Sequence, residues 1–179
     1  MINAKDIENK VSQQVFGKPL IMNVMRSYVA EAIICEALGG RWSWCSGDYA
    51  AWDIESQDGV RIEVKQSAAK QTWQSKKSSI PAFDIRPRKG RYDGPNWVAE
   101  SGRNADVYIF AWHSVIDETA NHKEPSQWLF FIVPTEELPD QNSIGLSALE
   151  SLVSPVSYEQ LADAVGSVVG ALDRVAFRK

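Results

Sequence analysis

Residues 60–66 read VRIEVKQ, and residues 49–55 upstream of them read YAAWDIE. The first stretch alternates strictly: Val60, Ile62 and Val64 are apolar, and Arg61, Glu63 and Lys65 between them are charged. Period-two alternation marks a strand with one face on a core and the other turned away from it. The second stretch is apolar around a single central polar residue, Asp53. Ser56-Gln57-Asp58-Gly59 between the two has the composition of a turn, so the pair reads as a β-hairpin.

Facing decides the register. A two-residue loop of Gln57-Asp58 sets Asp53 opposite Ile62, and one of Asp58-Gly59 sets it opposite Val64. Either places a carboxylate on the core face. A three-residue loop of Gln57-Asp58-Gly59 pairs Ser56 with Val60 and puts Gly59 where a left-handed residue is needed. Ile54 then meets Ile62 and Trp52 meets Val64 on the apolar face. On the other face Glu55 meets Arg61, Asp53 meets Glu63 and Ala51 meets Lys65.

Two carboxylates so opposed stand ~5 Å apart at Cβ and repel. A divalent cation relieves that repulsion, because Mg²⁺ takes hard oxygen ligands. Lys65 lies on the same face, ~6.6 Å along the strand from Glu63. There it can assist a water that attacks a phosphate and offset developing negative charge. The competing reading is a solvated hairpin with Glu55–Arg61 and Glu63–Lys65 ion pairs, in which Asp53 gains no obvious partner.

Working outward, residues 23–38 (NVMRSYVAEAIICEAL) predict a helix capped by Asn23 and ended by Gly39-Gly40. At 100° per residue Glu31 falls in a stripe with Val24, Tyr28, Cys35 and Leu38, and an acid there needs a partner or a metal. Residues 67–79 are polar and read as helical. Residues 79–104 are rich in Pro, Gly and basic residues and read as loop. ADVYIFAWH (105–113) and QWLFFIVP (127–134) read as buried strands. Ser157-Tyr158-Glu159-Gln160 has the form of a capping box opening a helix over about 157–172. The expectation is an α/β fold: a single domain over residues 1–179, its core about 23–134, with a central mixed β-sheet flanked by helices.

The chain has 179 residues, ample for one core. Its N-terminus, MINAKDIENKVSQQ, lacks the apolar run of a signal peptide, and no apolar stretch approaches the ~20 residues of a membrane span. Cys35 and Cys45 have neither metal-site spacing nor disulfide-scaffold density. These features predict a cytoplasmic protein with no membrane partner. The net charge is −4, yet residues 61–103 carry ten Lys/Arg against four acids. A basic patch within an acidic chain points to a local anionic partner.

The constellation of Glu31 on a helix, Asp53, and Glu63-Val64-Lys65 on the next strand of a hairpin resembles the PD-(D/E)XK nuclease superfamily. The likeness covers roughly residues 23–113 and departs from the family pattern where Trp52, rather than proline, precedes Asp53. It implies a restriction-endonuclease-like core and a Mg²⁺-dependent DNA endonuclease of restriction or repair type, with Mn²⁺ able to substitute. Asp53, Glu63 and the Val64 carbonyl would then bind the metal, and Lys65 would position the attacking water. Glu31 would orient a water or help hold a metal, and Gln66 would add a polar group. Lys70, Lys76, Lys77, Arg86, Arg88, Lys89, Arg91 and Arg103 are the expected DNA contacts. Double-stranded DNA and a homodimer are the expected partners, and Trp73 and Trp97 in the basic segment are candidates for stacking on bases.

Other chemistries find little support. His113 and His122 match no compact metal spacing and read as structural or exposed rather than catalytic. No nucleophile elbow, dinucleotide fingerprint or phosphate loop occurs. The alternative function is a nucleic-acid-binding module that keeps the nuclease fold without turnover.

Overall fold

The runs at 107–113 and 128–134 alternate between two cores, and this fixes the centre of the sheet. In the computed structural model, which describes residues 2–45, 47, 50–73 and 81–176, these runs form strands β7 (Val107–His113) and β8 (Trp128–Pro134), paired antiparallel. Val107, Ile109, Ala111, Trp128, Phe130 and Ile132 enter one core, and Tyr108, Phe110, Phe131 and Val133 enter the other. A strand buried on both faces must be apolar throughout, which is why neither shows alternation in its sequence.

The remaining strands are β1 (Trp42–Trp44), β2 (Ile54–Ser56), β3 (Arg61–Ala68), β4 (Ala82–Asp84), β5 (Arg91–Asp93), β6 (Asn96–Val98) and β9 (Ser143–Gly145). The main sheet has the order β1-β2-β3-β7-β8. β3 runs parallel to β7 while the other three pairs of the sheet are antiparallel, so the sheet is mixed, as expected. Helices α2 (Asn23–Leu38) and α4 (Tyr158–Ala176) cover the first core through Ala30, Ile33, Ile34, Leu161 and Val165. The second core is closed by the β4–β9 ribbon and by α3 (Leu146–Leu152), through Phe83, Ile85, Ile144 and Leu149. A further helix, α1 (Ala4–Phe16), has no buried residue.

The β2–β3 hairpin takes the expected register. Ile54 pairs with Ile62 and Glu55 with Arg61, and the Ser56 N–H donates to the Val60 carbonyl at 2.9 Å. Gly59 ends the three-residue loop at φ +84°. Nothing lies within 4 Å of where its Cβ would be, so only backbone strain demands glycine there.

Several expectations need correction. The stretch 67–79 does not begin a helix: β3 continues to Ala68, residues 69–73 make bends, and 74–79 lie outside the described residues. The expected loop at 79–104 carries β4 and the β5–β6 hairpin. Asn23 is the first residue of α2 rather than its cap, which is Met22. Val24 is 70% exposed and Tyr28 39%, while Glu31 is buried and Cys35 and Leu38 pack against the first core, so only the C-terminal part of that stripe faces inward. At α4 half of the capping box forms, with the Ser157 N–H donating to Gln160 Oε1 at 3.0 Å.

Of the two readings, structural or exposed, the second does not hold: His113 and His122 are fully buried. The Ile21 N–H donates to His122 Nδ1 at 2.9 Å, so His122 Nε2 carries the proton and donates to the Lys70 carbonyl at 3.1 Å. Burial, then Arg26 and His113, push the His122 pKa down to about 4.

The hairpin register predicts its own test. Gly59→Ala should destabilise the protein by ~1 kcal/mol, and Gly59→Asn by less, since asparagine tolerates the left-handed region. Urea unfolding monitored by circular dichroism measures both.

Candidate active site

Just before Ile54, over residues 51–53, the chain lies bent out of the ladder. The Asp53 N–H still donates to the Ile62 carbonyl at 3.0 Å, and the Asp53 carbonyl accepts from the Cys45 N–H at 2.8 Å. In the ideal register the Val64 N–H would meet the Trp52 carbonyl, since hydrogen-bonded pairs recur every second residue. The Asp53 carboxylate takes that place, with Oδ2 accepting the Val64 N–H at 2.7 Å.

The bend corrects the expected facing. Trp52 does not meet Val64. It turns to the second core with the Arg61 guanidinium 3.9 Å above its ring, while Val64 stays in the first. The Asp53–Glu63 and Ala51–Lys65 ladder pairs do not form. Like charges directly opposed are costly, and the bend lets Asp53 bind backbone beside Glu63 instead of facing it in the ladder.

Glu63 and Lys65 stay on the charged face of β3 as an ion pair, both largely buried. Glu63 stands in register with Tyr108, whose phenol is pushed up to about 12 by burial and then by Glu63. The Asp53 carboxyl is pushed up to about 7, first by burial and then by Glu63, against the lowering effect of the Val64 N–H. Near neutral pH a substantial share of Asp53 therefore holds a proton while Glu63 is compensated by an ammonium.

Glu31 is 4% exposed, and its Oε2 accepts from the Trp44 indole N–H at 2.9 Å. It meets Asp53, Val64, Lys65 and Gln66 at a cavity of about 350 Å³. Asp53 and Glu63 also line a second cavity of about 290 Å³, with Arg88, Arg91, Asn104 and Tyr108. All four charged residues of the expected set thus meet around β3. Tyr108, Asn104 and Trp44 are neighbours that the sequence reading missed. Only Tyr108 left a trace, as the one residue with a polar tip inside VYIFA.

Gln66 is engaged elsewhere. Its Oε1 accepts from Arg26 Nε at 2.6 Å, and its Nε2 donates to the Asn23 carbonyl and side chain at 3.1 and 3.2 Å. Arg26 is 1% exposed, and burial pushes its pKa down to about 10. Its other bonds reach Gln71 Oε1 and Asn23 Oδ1 at 3.0 and 2.7 Å, so among the described residues it has amide rather than carboxylate partners. Gln66 is thus a link to this buried cation and not a free polar group at the cavity.

The expected DNA contacts divide. Arg88 and Arg91 line the cavity that holds Asp53 and Glu63, and Arg86 and Lys89 are exposed on the approach to β5. Lys70 donates to the Asp117 carbonyl at 2.7 Å and lines a separate cavity beside α1. Arg103 departs from expectation: its guanidinium bonds the carbonyls of Ile85, Leu138, Pro139 and Gln141, fastening the second core's rim. Lys76 and Lys77 lie outside the described residues.

Among the described residues no three His, Cys, Asp or Glu side chains are gathered as metal ligands. Two carboxylates still fit Mg²⁺, which binds through one or two and keeps several waters. The proton on Asp53 and the ammonium on Glu63 are the compensations such an ion would replace.

These features describe an α/β domain with a buried carboxylate–lysine site on a β-hairpin. Residues 7–133 match the family model of bacteriophage T4 endonuclease IV, and the chain belongs to that family. The matched span includes Glu31, Asp53, Glu63 and Lys65. Among solved structures, the chain is similar to the bacterial homing endonuclease I-Ssp6803I, at 21% identity over 69% of this chain and 77% of that chain, with a TM-score of 0.41. No curated protein matches.

The raised Asp53 pKa carries a linkage prediction. A carboxyl with a folded pKa of about 7 and an unfolded value near 4 destabilises the fold when both states are ionised. Asp53→Asn should therefore raise the melting temperature of the metal-free protein by several degrees at pH 8. That gain should shrink as the pH falls through 7 toward 4, which thermal melts in EDTA across this range will read.

Proposed function

We propose that the chain is a Mg²⁺-dependent DNA endonuclease of the PD-(D/E)XK type, with Asp53, Glu63 and the Val64 carbonyl as metal ligands. The observation that supports this most is the local arrangement of β3: Asp53 bonded to the Val64 N–H, with Glu63 and Lys65 on either side of that residue. Membership of a family named for an endonuclease agrees with it, as does the excess of basic residues over 61–103.

A bound divalent cation supplies a Lewis acid for the phosphoryl group and makes water a better nucleophile. The chain's own residues do the rest. Asp53 gives up its proton when the site is loaded, and its bond to the Val64 N–H keeps the carboxylate aimed beside β3. Lys65 leaves Glu63 and uses its ammonium donors to orient the attacking water and neutralise charge growing on the phosphate oxygens. Glu31, tied to Trp44, presents a second acceptor for that water from the α2 side. Arg88 and Arg91 receive the backbone phosphates at the neighbouring cavity. Gln66 acts at one remove, fixing the end of β3 through Arg26.

The test is nicking and linearisation of plasmid DNA. Cleavage is expected with Mg²⁺ or Mn²⁺ and absent in EDTA, and Asp53→Ala and Lys65→Ala should each lower the rate at least ~100-fold. Undiminished cutting by both variants would remove the site assignment. Salt-sensitive binding with no cleavage under any divalent metal would favour a non-catalytic module.

A further inference from the structure

The β5–β6 hairpin has no role in either core, yet it forms the rim of the cavity that contains Asp53 and Glu63. Its main side chain is Trp97, which is 54% exposed. A half-exposed indole returns little burial energy, but this one is held in place. A Cβ at Gly90 would lie 2.6 Å from Trp97 Cζ2 and 2.4 Å from the Val98 carbonyl oxygen. Glycine is therefore required at position 90 for the indole and the Val98 carbonyl to come this close to the backbone. On the hairpin's own strands the Tyr92 ring meets Trp97 edge-on, with centroids 5.2 Å apart.

The support beneath the hairpin is also fixed. Arg88 and Gly102 exchange both backbone hydrogen bonds, at 2.7 and 2.9 Å, which closes the base of the segment. The Arg91 guanidinium stands 3.6 Å from Glu100, toward the other end of the same excursion. An aromatic face presented rigidly loses little side-chain freedom when something stacks on it. The cavity of about 290 Å³ between this face and the two carboxylates has room for a planar heterocycle. Asn104, on its wall, offers an amide that can both donate and accept.

We propose that Trp97 is a base-stacking residue of the substrate site: its indole stacks an unstacked nucleobase, with Asn104 at the base edge, next to the phosphate addressed by Asp53, Glu63 and Lys65. The assignment rests on the nuclease reading above and adds the substrate group that the hairpin takes. Stacking on aromatic residues is strong and tolerant of base identity, so Trp97 supplies affinity and position while Asn104 supplies discrimination. Arg88 and Arg91 flank the ring and bind the phosphates on either side of that nucleotide.

The experiment is a set of short DNA oligonucleotides in which every base along the strand is replaced in turn by an abasic residue. Binding is measured in Ca²⁺ and cleavage in Mg²⁺. Wild-type protein should lose about tenfold in affinity at one abasic position next to the cleaved bond. Trp97→Ala should show that loss on the intact oligonucleotide and no further loss on the abasic one, with KM raised to match. Trp97→Phe should restore most of the affinity. Since Trp97 lies outside both cores, the alanine variant should keep the wild-type circular dichroism spectrum.

Wild-type cleavage with unchanged KM and unchanged abasic sensitivity in Trp97→Ala would overturn the hairpin's role and leave the nuclease reading intact. A wild-type protein that binds DNA but does not cut would overturn the nuclease reading alone, because the abasic scan still reads binding. A wild-type protein that does neither overturns both.

Discussion

One hydrogen bond organises this molecule's working end: the Val64 N–H donated to the Asp53 carboxylate. It takes the place of a ladder bond, so β2 begins only at Ile54 and the chain before it is free to bend. The bend sends Trp52 to the second core and leaves Asp53 where the two cavities meet. A carboxylate accepting a backbone N–H in a partly dry site is a strong acceptor, and it satisfies a donor that the bend would otherwise orphan. The geometry that disturbs the sheet is thus the geometry that secures it.

Charge balance around that bond explains the rest of the site. Three acids approach one another from α2, the bend before β2 and β3, and burial would make three full charges prohibitive. Asp53 is pushed toward its neutral form, while Glu63 is relieved by Lys65 and Glu31 by the Trp44 indole N–H. Each of these three compensations can be exchanged for a cation or a water. Arg26 is different, being buried at the end of β3 among the amides of Asn23, Gln66 and Gln71. Its network joins α2 to β3 and holds the strand that carries Glu63 and Lys65 against the helix that carries Glu31.

The hairpin register was legible because three independent constraints agree: alternation in VRIEVKQ, a glycine at one loop position, and the exclusion of an acid from the core face. The bend at 51–53 was not, since nothing in YAAWDIE distinguishes a residue that stays in a ladder from one that leaves it for a cross-strand carboxylate bond. The same limit applies to Arg103 and Gln66. In a sequence, a surface arginine and one bonded to four carbonyls look alike, and so do a free glutamine and one tied to a buried guanidinium. Helix α2 misled in another way: its sequence is apolar on most sides, so periodicity could not tell which stripe meets the sheet.

The central claim is that Asp53 and Glu63 share a divalent cation which displaces the Asp53 proton and frees Lys65. Crystals soaked in Mn²⁺ and measured at its absorption edge test this most directly. The account predicts an anomalous peak within coordination distance of both carboxylates, with the Lys65 ammonium moved off Glu63. A clear peak elsewhere, or a fully loaded crystal with the Lys65–Glu63 pair intact and no peak between the carboxylates, would contradict it.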